Sequence, residues 1–263
     1  MGMLDIRHLE IHVAHACNLA CESCSHYSNY RHAGMVSLEN ADRWMASWSA
    51  RLRPATFSLV GGEPTIHPRL ADFVRLARAH WPDSGLRLVT NGFFLHKHPE
   101  LPSVLKGVGK ARLFLSIHHD SPAYREALRP NYRRLQAWAR EHGISVRAYD
   151  SLGRWRRTYL GAGAQMQPYE DGQPRRSWER CVAKDCPQLF DGRLWKCAPL
   201  AYLRMQHAKV GLSAKWAPYL AYQPLEPGCS DAALREFFAR EDEPYCSMCP
   251  AKPEHFRMPS PLR

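Results

Sequence analysis

The first 150 residues alternate short apolar runs with segments of helical periodicity, and that alternation confines the chain to a parallel α/β sheet. Ile6–Val13, Phe57–Val60, Leu86–Val89, Leu113–Ile117 and Ile144–Tyr149 read as strands. Between them, three segments read as helices: Leu38–Leu52 behind a Ser37 N-cap, the one-face set Leu70, Phe73, Val74, Ala77 and Trp81, and Arg133–His142 closed by Gly143. Strand–helix units of about 25–35 residues imply parallel neighbours, because a parallel pair needs a crossover. Five or six such units make an open, incomplete barrel, whose chemistry sits beyond the C-terminal strand ends. The polar clusters fall there: Gly61-Gly62-Glu63-Pro64, Thr90-Asn91-Gly92, His118-His119-Asp120 and Asp150.

From about Gly153 the texture changes. Tyr169–Pro174 reads as a linker, Pro, Trp and Cys become frequent, and long periodic helices disappear until Ser230–Arg240. The expected division is a barrel domain over 1–170 and a small metal-stapled domain over 171–263, since a domain of that size needs cross-links. No apolar run approaches the roughly 18–20 residues of a membrane span, and the N-terminal residues resemble no secretory signal. The expectation is a cytoplasmic protein with no membrane partner. The formal charge of +11 invites a nucleic-acid partner, but 28 Arg and 8 Lys are dispersed with no unbroken run beyond two, so none is expected.

The nine cysteines form two groups: Cys17, Cys21 and Cys24, then Cys181, Cys186, Cys197, Cys229, Cys246 and Cys249. Disulfides do not suit a reducing compartment, and scattered packing cysteines would not cluster so, which leaves thiolate metal sites. Three thiolates on one short loop can hold three irons of a 4Fe–4S cube and leave the fourth open to a bidentate ligand. A closed zinc site completed by His15 or His26 is the competing reading of this run.

Cys-x3-Cys-x2-Cys after the first strand, with Gly61-Gly62-Glu63-Pro64 after the second, resembles the radical S-adenosylmethionine (SAM) superfamily over roughly residues 5–150. The resemblance implies a partial (β/α)6 radical-SAM barrel and a SAM molecule chelated at the open iron of a cluster on Cys17, Cys21 and Cys24. It implies contacts to SAM from Gly61, Gly62 and Glu63, and further contacts at Asn91, Ser116 and His118. Where the superfamily often carries an aromatic residue before the third cysteine, this chain has Ser23, and Tyr27 is the candidate replacement.

The later cysteines resemble the shortened auxiliary-cluster, or twitch, domain of that superfamily: Cys181 or Cys186, the hairpin segment Gly192–Cys197, and Cys246-x2-Cys249. A structural zinc ribbon is the alternative. The implied second 4Fe–4S cluster takes Cys181, Cys186, Cys197 and Cys246, leaving Cys249, or else Cys229, as a hydrogen-atom donor. If both residues of Cys246-x2-Cys249 are ligands, Cys186 or Cys229 is freed instead. The whole pattern is similar to radical enzymes of aminoglycoside antibiotic biosynthesis, neomycin-type aminoglycoside epimerases in particular. That similarity implies inversion of a sugar carbon through a 5′-deoxyadenosyl radical, and an electron donor such as flavodoxin or ferredoxin. A radical SAM dehydrogenase, or a peptide- or RNA-modifying radical enzyme, is the alternative. Glu22, Asp120, Asp150 and Glu170 are the candidate carboxylates for a polycationic substrate.

Overall fold

A computed structural model describes residues 2–152 and 155–263; the change of texture at Gly153 lies outside them. Five strands and four helices alternate as the sequence requires: β1 Leu4–Ala14, α1 Leu38–Ser49, β2 Leu52–Gly61, α2 Leu70–His80, β3 Gly85–Thr90, α3 Leu101–Val108, β4 Ala111–Ile117, α4 Pro122–His142 and β5 Ser145–Asp150. There follow α5 Pro174–Arg180, β6 Gln188–Phe190, β7 Arg193–Trp195, α6 Ala198–Val210, α7 Ala217–Leu220 and α8 Asp231–Ala239. The seven strands of the described residues form one sheet in the order β5-β4-β3-β2-β1-β6-β7, parallel except for the β6–β7 hairpin.

The sixth parallel strand is therefore not a continuation past β5. β6 comes from the cysteine-rich region and docks on the free edge of β1, pairing Glu10 with Gln188 and Ile11 with Leu189. Asp191 (φ 53°) and Gly192 (φ 73°) both turn left-handed, as a two-residue hairpin between right-twisted strands demands. Trp48 Nε1 donates to Gly192 O at 2.9 Å and fastens the turn to α1.

Alternation along β1 separates two faces. Leu9, Ile11 and Val13 are buried with Met45, Trp48 and Phe73 in the layer between sheet and helices. His8, Glu10 and His12 face the other way, where Arg87 Nη2 donates to Glu10 Oε1 at 2.9 Å and Gln188 Nε2 donates to Glu10 Oε2 at 2.7 Å. Helix α4 starts eleven residues earlier than its sequence reading, running through Pro130. The proline removes one backbone donor, but Tyr124, Leu128, Leu135 and Trp138 stay buried along one side and outweigh that loss. Helix α6 is absent from the sequence reading because Ala198–Leu203 and Gln206 are all buried, so no apolar stripe marks it. No helix of the described residues is long and apolar enough to cross a membrane.

Candidate functional site

The first cysteine loop leaves β1 at Ala14 and is gripped by the exit of β2. Gly62 N–H donates to Ala14 O and Glu63 N–H to Ala16 O, each at 2.8 Å. A Cβ on Gly61 would stand 2.6 Å from Ala14 O, and one on Gly62 2.4 Å from Ala16 O. What the missing side chains admit is thus the backbone of the cysteine loop itself.

Glu63 is buried and anchors the neighbouring strand end. Its Oε1 accepts from Thr65 N–H at 3.0 Å, from the Thr65 hydroxyl and from Thr90 Oγ1 at 2.5 Å; its Oε2 accepts from Asn91 N–H at 2.7 Å. Burial pushes its pKa up while these donors oppose the shift. Oε2, with a single partner, is the oxygen left for a ligand's amino group. Asn91 Nδ2 reaches Asn18 Oδ1 at 2.8 Å and Cys17 Sγ at 3.8 Å, while Ser116 is buried on β4 beside Tyr149 of β5.

Cys17, Cys21 and Cys24 pack in one apolar cluster with Leu19, Tyr124, Leu128 and Met258. Polar groups approach the sulfurs: Leu19 N–H lies 3.4 Å from Cys17 Sγ, and His118 Nδ1, a donor in its Nδ1–H tautomer, lies 3.3 Å from Cys21 Sγ. Burial, with the nearby Glu63 charge, pushes the Cys17 thiol up to about 12, and burial raises Cys21 and Cys24 as well. Three sulfurs in an apolar pocket with donors aimed at them suit thiolates bonded to iron, and the residues fit a cluster with one open corner. His15 and His26, the candidates for completing a zinc site, are engaged elsewhere: His15 Nδ1 meets His12 Nδ1 at 2.8 Å, and His26 Nδ1 meets His12 Nε2 at 3.2 Å and Gly61 O at 3.3 Å.

Tyr27 is sealed inside the C-terminal region rather than open to a ligand. Its hydroxyl donates to Pro199 O at 3.3 Å, and its ring packs near Tyr159. It lies between the two cysteine groups, close enough to Cys249, Cys197 and Cys24 to feel their charge.

Of the later cysteines, Cys181, Cys197, Cys246 and Cys249 line one largely apolar cavity with Trp178 and Leu200. Cys186 stands outside that lining, on the side of β1, within 4.8 Å of ligand atoms of His8 and Glu10, while still neighbouring Cys181 and Cys197. The set expected as ligands is thus spread over two sides, with Cys181, Cys197 and Cys246 common to both readings. Cys229 joins neither: Arg51 donates to its sulfur at 3.5 Å and to its carbonyl at 2.9 Å, and it packs against the helix-side core. Cys229, the alternative donor, thus lies apart from both cysteine groups.

The four candidate carboxylates also separate. Asp120 and Asp150 line one cavity at the ends of β4 and β5, with Ile117, Tyr124, Arg125 and Arg129. Glu22 is paired with Arg157 at 2.6 Å and Glu170 with Lys215 at 2.6 Å, so neither offers an uncompensated charge. The sequence reading missed the buried chain behind the cysteine loop, in which His12 stacks on Tyr202 (centroids 4.3 Å apart) and Tyr202 donates to Gln188 Oε1 at 3.0 Å. Its signal was present: polar His8, Glu10 and His12 at alternate positions of an otherwise apolar strand.

Residues 11–152, more than half of the chain, match the radical SAM superfamily. A stretch of 124 residues is 27% identical to a GTP 3′,8-cyclase of Microcystis aeruginosa, covering 46% of this chain and 37% of the cyclase; the chain spans little more than a third of that relative's length. The crystal structure of BtrN in complex with AdoMet and 2-DOIA covers 95% of this chain and 94% of its own, with a TM-score of 0.55 at 16% identity, a likeness of fold. SuiB of Streptococcus suis bound to S-adenosylmethionine covers 56% of this chain and 34% of its own, with a TM-score of 0.45 at 19% identity. The matched residues contain the three-cysteine loop and the glycine pair that grips it, and on that evidence the chain belongs to the radical SAM superfamily.

Proposed function

We propose that this radical SAM enzyme inverts a sugar carbon of an aminoglycoside and returns hydrogen from the Cys249 thiol. A centre without an acidic C–H offers nothing to a general base, so inversion there needs hydrogen-atom transfer. Cys17, Cys21 and Cys24 would hold the cluster that binds SAM, with Glu63 Oε2 and Asn91 beside it. Cluster and SAM together supply the hydrogen-atom abstraction. The protein's part is to hold the substrate carbon between that site and a thiol on its opposite face.

The observation that carries the reading is the position of Cys249. It is half-buried, lining one cavity with Cys181, Cys197 and Cys246 and packing against the same apolar cluster as Tyr27, a neighbour of Cys24. Burial in apolar surroundings keeps a thiol protonated, the form that can give up a hydrogen atom. In this arrangement Cys181, Cys186, Cys197 and Cys246 hold an auxiliary cluster in a twitch-type domain over 171–263. Asp120 and Asp150 suit the ammonium groups of the substrate, and an external one-electron donor completes the cycle. BtrN, which shares the fold over nearly the whole chain, binds AdoMet together with 2-DOIA, which supports a second ligand beside SAM here.

The test is anaerobic turnover with SAM, a reductant and candidate aminoglycosides in deuterated water. Wild-type protein is expected to give inverted sugar carrying one solvent deuterium. Cys249→Ala is expected to retain iron and substrate-dependent 5′-deoxyadenosine but to lose the inverted product; unaltered epimer formation overturns the assignment. One observation favours a second reading: Cys249 lines the same cavity as three other cysteines. As a fourth ligand it would leave no donor, and the substrate radical would become a ketone by losing a proton and one electron, for which an auxiliary cluster would be the acceptor; Cys249→Ala would then lose about four irons per chain.

A further inference from the structure

The segment that follows the last cysteine pair returns to the first cysteine loop. Pro261 O accepts the Ala20 N–H at 2.7 Å, Leu262 forms an antiparallel bridge with Leu19, and the Glu22 N–H meets Met258 Sδ at 3.3 Å. Met258 and Leu262 share the apolar cluster that contains the three cysteines. Arg263 then crosses the loop: its guanidinium donates to Cys17 O at 3.2 Å, Ser28 O at 3.3 Å and Asn29 O at 2.8 Å. These acceptors bracket the loop, so one side chain ties together the two ends of the stretch that carries all three sulfurs.

The loop needs such a tie. Ser23, Tyr27 and Arg31 adopt left-handed backbone (φ 57°, 55° and 56°), which residues with side chains hold only where the surroundings over-determine it. Thr158 provides one restraint, its N–H donating to Ser23 Oγ at 2.7 Å and its hydroxyl to Ser23 O at 3.0 Å. Arg263 provides another and brings a cation close enough for its charge to be felt by Cys17, Cys21 and Cys24.

We propose that Arg263 is a positioning residue of the first cluster, fixing the span of the cysteine loop and offsetting the negative charge that collects there on reduction. This rests on the reading of Cys17, Cys21 and Cys24 as cluster ligands. When a one-electron reductant gives its electron to such a cluster, the charge of cluster plus three thiolates goes from roughly −1 to roughly −2. A nearby cation stabilises the reduced state more than the oxidised one. A lysine keeps that charge but not the fork that spans Cys17 and Asn29.

The test is a dithionite titration of reconstituted full-length protein with redox mediators, followed by low-temperature EPR. Wild type, Arg263→Gln, Arg263→Lys and the combined Cys17→Ala, Cys21→Ala, Cys24→Ala chain are compared. The first-cluster signal is whatever the triple variant lacks and SAM perturbs; if the triple variant lacks nothing, the ligand reading itself has failed. With that signal present, Arg263→Gln is expected to lower the reduced-to-oxidised ratio at fixed potential about tenfold, a midpoint about 59 mV lower. Arg263→Lys is expected to stay within about twofold of wild type. An unshifted Arg263→Gln, or a lysine variant shifted as far as the glutamine one, overturns the proposal. Should Arg263→Gln hold less iron, retention by Arg263→Lys upholds the role of the charge; equal loss in both upholds the fork, and the charge is then decided by the midpoint of the cluster that remains, an unshifted Arg263→Gln midpoint overturning it.

Discussion

His118 Nδ1 stands 3.3 Å from Cys21 Sγ, at the end of β4 and directly across from the first cysteine loop. Burial holds the imidazole's pKa down to about 4, so it is neutral at working pH and can act on the sulfur only through an N–H. His118→Phe keeps the ring packing against Trp155 but removes that donor. Hydrogen bonds to sulfur raise a cluster's potential, so the first-cluster midpoint is expected to fall, by tens of millivolts in order of magnitude. An EPR-monitored titration checks it, with an unchanged midpoint counting against the bond.

Gly62 carries the tightest backbone approach around the site. With a Cβ 2.4 Å from Ala16 O, Gly62→Ala must push the cysteine loop away from β2. Apoprotein stability is expected to fall by about 2–4 kcal/mol, with cluster loading lost alongside. Urea unfolding and iron analysis of the same preparation measure both effects.

Glu63 accepts four hydrogen bonds and donates none. In Glu63→Gln an amide N–H must face at least one of these donors. The expected loss is about 1–3 kcal/mol of apoprotein stability, read by thermal or urea denaturation before any cofactor is added. A variant as stable as wild type would mean that Thr65 and Thr90 can rearrange.

Cys186 and Cys229 separate by environment, one beside Cys181 and Cys197 and the other held by Arg51. If the proposed auxiliary cluster forms, Cys186→Ala is expected to cost it, about four irons per chain, whereas Cys229→Ala keeps full iron content. Iron and sulfide analysis after anaerobic reconstitution distinguishes them, and intact iron in Cys186→Ala would assign the fourth ligand to Cys249.

The acidic residues give a graded outcome with a polycationic substrate. Asp120→Asn and Asp150→Asn are each expected to raise KM about tenfold, a loss of roughly 1.4 kcal/mol per ammonium contact. Glu170→Gln is expected to change KM less than twofold, because Lys215 already neutralises that carboxylate. Steady-state kinetics with one aminoglycoside suffices, and equal effects at all three positions would move the substrate site elsewhere.

Much of the barrel was legible in the sequence because its signals are local. The period-two pattern of Leu9, Ile11 and Val13, the Ser37 cap and the one-sided set from Leu70 to Ala77 each need only a few neighbours to be read. The Asp191-Gly192 turn was equally legible, since only a narrow set of residues tolerates left-handed backbone at both positions. The three-cysteine loop and its glycine pair were fixed by spacing and by strand order, and the match over residues 11–152 agrees with them.

The tertiary structure alone decided what depends on closure over long chain separations. No local pattern says that β6 pairs with β1, that Cys249 lines a cavity with Cys181 while Cys229 goes to Arg51, or that Arg263 crosses the loop begun at Cys17. Those pairings join residues far apart in the chain, so whether the groups meet depends on how the sheet and helices between them pack. α6 shows the same limit from inside an element: buried on every side over Ala198–Leu203, it has no stripe there to betray it.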